Sequence, residues 1–164
     1  MGKFVDNYLL FQLAAISHSL SDDFYGLLRE RGVTPARWRV LVNLIDGDMY
    51  VTDLVHKTLY EQSRVTRIID QLACEGLIER RVDDKDRRRI TVAVTDRGRA
   101  LTLPLIEAAK EHEERVLSAL PEADRQALKI TLARLVGTYF NHSNIDLSQI
   151  NSKPADQIQK VLEG

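Results

Sequence analysis

Five side chains able to donate hydrogen bonds, Ser63, Arg64, Thr66, Arg67 and Gln71, crowd one stretch of "SRVTRIIDQLACEGL". Helical spacing turns them away from Val65, Ile68, Ile69 and Leu72, which fall on the opposite face. Arginine can grip the two acceptors of a guanine edge, glutamine can bridge adenine, and hydroxyls serve either. With the cations near the helix N-terminus, the backbone dipole adds potential favourable to phosphate. A second cluster follows, "DDKDRRR" (Asp83–Arg89), with four cations and three anions in seven consecutive residues between two apolar segments. Alone, each cluster is also what a solvated surface looks like, so their surroundings must decide.

The surroundings place both clusters on defined elements. Residues 5–30 carry Leu9, Leu13, Ile16, Leu20, Phe24 and Leu27 at helical spacing. A second face with Phe11, Ala14, Ala15, His18 and Tyr25 predicts a helix buried on two sides. Gly32 ends it, and "VTPARW" restarts the chain with Thr34 as N-cap and Pro35 at the first helical position. That second helix presents Trp38, Leu41, Val42 and Ile45 and stops at "DGD". A short third helix is expected from Thr52 or Asp53 to Leu59. A turn leads to a fourth, capped by Ser63 and closed by Gly76. "LIERRV" and "RITVAVT" then read as the strands of a hairpin whose extended loop is the charged septet. Thr95 opens a fifth helix running to about Leu120, with Pro104 near its start. Pro121 opens a sixth with Leu128, Leu132, Leu135 and Val136 as its stripe. The polar residues 141–164 are expected to form a mobile or partly helical tail.

The totals bound the class. The chain has 164 residues, 44% hydrophobic and 29% charged, which suits a folded rather than a disordered protein. No apolar run reaches the roughly 18 residues of a membrane span, and no signal pattern opens the chain. A cytoplasmic protein without a membrane partner is expected. The net charge of −1 hides a local excess, because eight cations face four anions between Arg80 and Arg99. A polyanion footprint needs such a patch.

Helix, turn, helix and hairpin make a winged helix-turn-helix, whose second helix fits the major groove while the hairpin lies across the neighbouring backbone. "VTPARWRVLVNL", "SRVTRIIDQLACEGLIERR" and "DKDRRRITVAVTDRG" resemble the MarR family of transcriptional regulators over roughly residues 8–140. The resemblance implies a mainly α fold with a small β-hairpin wing, and a winged lobe joined to a helical dimerisation region. It assigns residues 1–33 and 100–140 to dimerisation and 34–99 to DNA binding. On the wing, Asp86 would fix the loop while Arg87 and Arg88 reach the minor groove or its phosphates. Arg89 is a third arginine that departs from the family motif, so which one enters the groove is open. A homodimer would read a palindromic operator of double-stranded DNA. The family further implies a repressor released by a small effector, an aromatic carboxylate or its coenzyme A thioester. His18, Arg37, Trp38 and Arg39 are the candidate ligand residues, since a cation beside an aromatic ring suits an anionic aromatic molecule.

Other chemistries find little support. Cys74 is the single cysteine, is expected to be packed at the end of the fourth helix, and gives no disulfide. His18, His56, His112 and His142 form no metal-ligand spacing, and "KEHEER" (Lys110–Arg115) reads as a charged outer face. No phosphate loop, nucleophile elbow or paired acid–base site is present, so neither an enzyme nor a cofactor is expected. The remaining alternative is a winged helix that binds DNA constitutively or docks proteins, without a sensor.

Overall fold

A computed structural model describes residues 4–82 and 89–139. A single 3-10 turn, Phe4–Asn7, precedes α1 (Leu9–Glu30). Then follow α2 (Pro35–Asn43), β1 (Met49–Tyr50), α3 (Val51–Thr58) and α4 (Gln62–Cys74). The order continues with β2 (Ile78–Val82), β3 (Ile90–Val94), α5 (Asp96–Leu117) and α6 (Glu122–Tyr139). The chain divides after Glu113 into two compact units. The expectations for Asp86, Arg87, Arg88 and the tail after residue 140 lie outside the described residues.

In the first unit α2 begins as its sequence dictates. Thr34 is extended and its hydroxyl accepts from the Arg37 amide at 3.3 Å, with Pro35 filling a position whose amide needs no partner. The core then forms around α4, whose Val65, Ile68, Ile69 and Leu72 are all buried against Val40, Leu41, Leu44, Leu54, Leu77, Ile78 and Val92. Burying four large side chains along one stripe leaves α4 no freedom to rotate about its axis. The face opposite the stripe is thereby fixed in direction.

Two helix starts differ from the sequence expectation, and one strand is added to it. α4 starts at Gln62 with Glu61 as its N-cap, so Ser63 sits inside the first turn rather than capping it. α3 starts at Val51, ahead of Thr52 and Asp53, because the chain enters it directly from β1. β1 itself is an addition: Met49 and Tyr50 pair with Val92 and Thr91, making a three-stranded antiparallel sheet in the order β1-β3-β2. The hairpin is as expected, with Ile78 opposite Val94 and Val82 opposite Ile90.

α3 ends on Leu59, which adopts a left-handed conformation (φ 59°) and lies exposed in the turn. α4 ends on Gly76 at φ 68°, where glycine carries no Cβ penalty. Past β3, Thr95 ties the start of α5 to the start of β2. Its hydroxyl donates to the Gly76 carbonyl at 2.7 Å and accepts from the Gly98 amide at 3.1 Å.

α1 corrects the reading of a helix buried on both sides. Within one chain only Leu28 is fully buried; Leu9, Leu10, Phe11, Leu13 and Ile16 are exposed. In the second unit, Arg125 Nε donates to the Leu120 carbonyl at 2.8 Å across the turn into α6. On the stripe of α6, Leu128, Leu132 and Leu135 are likewise exposed, and Val136 is half-buried. No helix among the described residues is long and apolar enough to cross a membrane.

Candidate nucleic-acid interface

The outer face of α4 carries four of its five expected donors in the open: Ser63, Arg64, Arg67 and Gln71 are exposed, while Thr66 is half-buried at the flank. Arg67 makes no ion pair or hydrogen bond with any described residue. Arg64 is held differently. Its guanidinium lies 4.1 Å from the centroid of the Tyr60 ring, and Arg39 from α2 approaches the same ring at 5.2 Å. A guanidinium carries five N–H groups, so one held over a ring still has donors for an acceptor.

Two ion pairs brace the other end of α4. Glu75, the residue that caps it, receives a hydrogen bond from Arg37 of α2, and Asp70 receives one from Arg80 of β2 at 2.5 Å. Arg81 pairs with Glu79 and with Asp48, the latter at 2.8 Å. The bond and charge of Glu79, then the charge of Asp48, raise its guanidinium pKa, so it remains a cation at any pH of interest. The local basic excess is therefore smaller than the sequence count, because Arg80 and Arg81 are neutralised by acids lying outside that window. Arg89 remains. It is exposed, and its guanidinium stacks 3.6 Å from the Tyr50 ring centroid at the root of the wing.

The four candidate ligand residues do not meet at one contact. His18 is exposed and pairs with Asp22 one turn along α1, at 3.0 Å. Trp38 packs edge-on against Phe24 at 5.4 Å between ring centroids. Arg39 donates to the Thr58 carbonyl at 3.3 Å and faces Tyr60, toward α4. Arg37 reaches Glu75, yet its Nε is buried without a partner among the described residues. A residue assigned to an outer face joins this group: His112 of α5 packs on Phe24 at 5.8 Å, with its Nε2 buried and without a partner among the described residues. The pattern could have found it, since His112 lies seven residues after the buried Leu105, on the same side of the helix. Cys74 is exposed rather than packed. It follows Leu72 by two residues, about 200° round the helix from the inward stripe.

The comparisons agree with this arrangement. The MarR family model matches residues 31–89, from the end of α1 to the start of β3. The HTH-type transcriptional repressor MdtR of Bacillus subtilis (strain 168) is 31% identical over 121 residues, 73% of this chain and 78% of that protein. The exopolysaccharide II synthesis transcriptional activator ExpG of Rhizobium meliloti (strain 1021) is 30% identical over 132 residues, 76% of this chain and 67% of that one. The crystal structure of the MarR family transcriptional regulator SPO1453 from Silicibacter pomeroyi DSS-3 superposes with a TM-score of 0.75. It is 40% identical and covers 84% of this chain and 98% of its own. The chain belongs to the MarR family.

As a MarR family member the protein is a DNA-binding transcriptional regulator, and the family is not one of enzymes. Its mainly helical fold with a small antiparallel sheet is the winged helix of that family. Two features of the interface were not expected from the sequence, the tyrosine seats under Arg64 and Arg89. Tyr50 and Arg89 are distant in the chain, and no periodicity links them. Tyr60 lies in a turn, where helical spacing says nothing about what its ring will face.

Proposed function

We propose that this MarR protein is a ligand-responsive repressor that binds a palindromic operator as a cytoplasmic homodimer and leaves it when a small aromatic acid, or its coenzyme A thioester, binds. The observation that carries the DNA half is the exposed row of Arg64, Arg67, Ser63 and Gln71 on α4, aimed by a fully buried opposite stripe. In this reading Thr66, Arg87, Arg88 and Arg89 complete the contacts, residues 34–99 form the DNA-binding lobe, and residues 1–33 and 100–140 dimerise. The bare apolar surface of α1 supports the dimer, since a lone soluble chain rarely leaves so many large apolar side chains uncovered. Repression follows MdtR; ExpG, an activator, marks the competing sign.

The effector half rests on the Phe24, Trp38 and His112 group and on the two buried nitrogens without partners among the described residues, Arg37 Nε and His112 Nε2. Buried polar nitrogens left unsatisfied are costly, and a ligand carrying a carboxylate and a ring hydroxyl could satisfy a donor and an acceptor alike. A constitutive DNA binder is the second reading. It is favoured by the partners that His18, Arg37 and Arg39 already hold. Thermal-shift screening of aromatic carboxylates and their coenzyme A thioesters, followed by calorimetry of a hit with and without operator duplex, separates the two. Linkage requires operator to weaken ligand binding by the same factor that ligand weakens operator binding. Equal ligand affinity in both titrations leaves the constitutive reading.

The wing supplies a second test. Arg87→Ala or Arg88→Ala is expected to weaken binding to cognate and random duplexes alike. The slope of log affinity against log salt should flatten by about one for each phosphate that the protein no longer touches. Unchanged affinity and slope in both variants would mean that this loop does not touch DNA.

A further inference from the structure

Arg64 and Arg67 lie on the same exposed face of α4, one turn of helix apart, yet only Arg64 has a seat. The ring beneath it, Tyr60, belongs to the turn between α3 and α4 and packs its half-buried side chain against the core cluster that holds α4. Arg39 of α2 also lies over the ring. It approaches at 5.2 Å while donating to the carbonyl of Thr58, whose own hydroxyl donates to Leu54 O at 2.6 Å. The ring is thus fixed by groups belonging to α2, α3 and the core. The Arg64 guanidinium, 4.1 Å from its centroid, is the exposed end of that chain of contacts.

We propose that Tyr60 is a positioning residue for sequence readout: its ring face holds Arg64 ready to meet a base edge. A free arginine loses several rotatable bonds of freedom when it docks, whereas a stacked one has lost much of it beforehand. With five N–H groups the guanidinium can stay over the ring and still donate to an acceptor, so the seat need not be broken for the contact to form. Random DNA accepts a cation at many positions and gains little from a fixed one. The ring therefore acts on specificity more than on general affinity. This proposal rests on Arg64 being a DNA contact, and the experiment separates the two claims.

The test compares the duplex that the wild-type protein selects from a randomised pool with a random-sequence duplex of equal length. Tyr60→Leu keeps apolar bulk and removes the ring face; Tyr60→Phe keeps the face. Tyr60→Leu is expected to lower affinity for the selected duplex by about five- to thirtyfold over two half-sites. Random DNA should change less than about twofold, and Tyr60→Phe should match wild type. In an Arg64→Ala background, Tyr60→Leu should have no further effect. The ring has no such role if the leucine variant leaves the ratio of the two affinities unchanged, if phenylalanine fails to rescue it, or if the loss persists without Arg64. If Arg64→Ala itself costs nothing on the selected duplex, the contact assignment falls and the proposal with it. Nitrogen relaxation of the free wild-type protein decides the matter even if the leucine variant does not fold. The Arg64 Nε–H should be markedly more ordered than that of Arg67, and equal disorder would overturn the seat.

Discussion

Replacing Gly98 by alanine is expected to destabilise the first unit by on the order of 3 kcal/mol or more, a large share of the roughly 5–15 kcal/mol that holds a domain together. A Cβ at this position would lie 1.9 Å from the Leu77 carbonyl oxygen, 2.9 Å from its carbon and 2.8 Å from Val94 Cγ2. Two of these atoms are backbone and cannot swing aside. The Leu77 oxygen is also the acceptor for the Thr95 amide at 3.1 Å, and Leu77 itself is buried in the core. Relief would require the start of α5 to move off the start of β2, breaking the bonds that the Thr95 hydroxyl donates to the Gly76 carbonyl and its amide to the Leu77 carbonyl. Urea unfolding of the purified variant, or its protease sensitivity if yields are low, gives the answer. A midpoint indistinguishable from wild type would mean that the two segments can separate at little cost.

The second large effect belongs to DNA binding. Arg64→Ala is expected to cost about 1–3 kcal/mol per half-site on the cognate duplex, because the base edge is left without its donor. In a dimer both half-sites suffer, so affinity should fall by about thirtyfold at least, and by up to about twenty-thousandfold. Random DNA should lose only what one phosphate contact contributes on each side. Arg64 is exposed and belongs to no buried ion pair, so its removal should leave the unfolding transition in place. Fluorescence anisotropy on both duplexes at one fixed salt concentration is the measurement. Equal losses on both would make Arg64 a backbone contact.

Where the sequence could be read, it was read through periodicity and caps. The stripe of α4, the Thr34–Pro35 entry to α2, the stop at Gly76 and the two strands of the hairpin each rest on local chemistry that tertiary packing did not override. The errors have physical causes. Two residues of β1 are too few to show alternation, and its existence depends on β3, forty residues later in the chain. Ser63 has the better capping side chain, but the buried stripe sets where the helix begins, and Glu61 ends up at the cap with no side-chain bond. Cys74 and His112 were legible after all, because helical angles measured from Leu72 and Leu105 point the first outward and the second inward. What no pattern could supply is contact between distant elements: Arg37 with Glu75, Arg80 with Asp70, Arg64 with Tyr60. Those pairings divide the arginines into spent and available ones.

The lone cysteine has a practical consequence. Cys74 is the only thiol in the chain, it is exposed, and it terminates the helix whose outer face presents Arg64 and Arg67. A thiol-reactive spin label therefore needs no engineered site and attaches once per subunit. In a homodimer the two labels define a single interspin distance that follows the separation of the paired α4 helices. That ruler can be compared directly with the roughly 34–36 Å between successive major grooves on one face of DNA, with and without a bound effector.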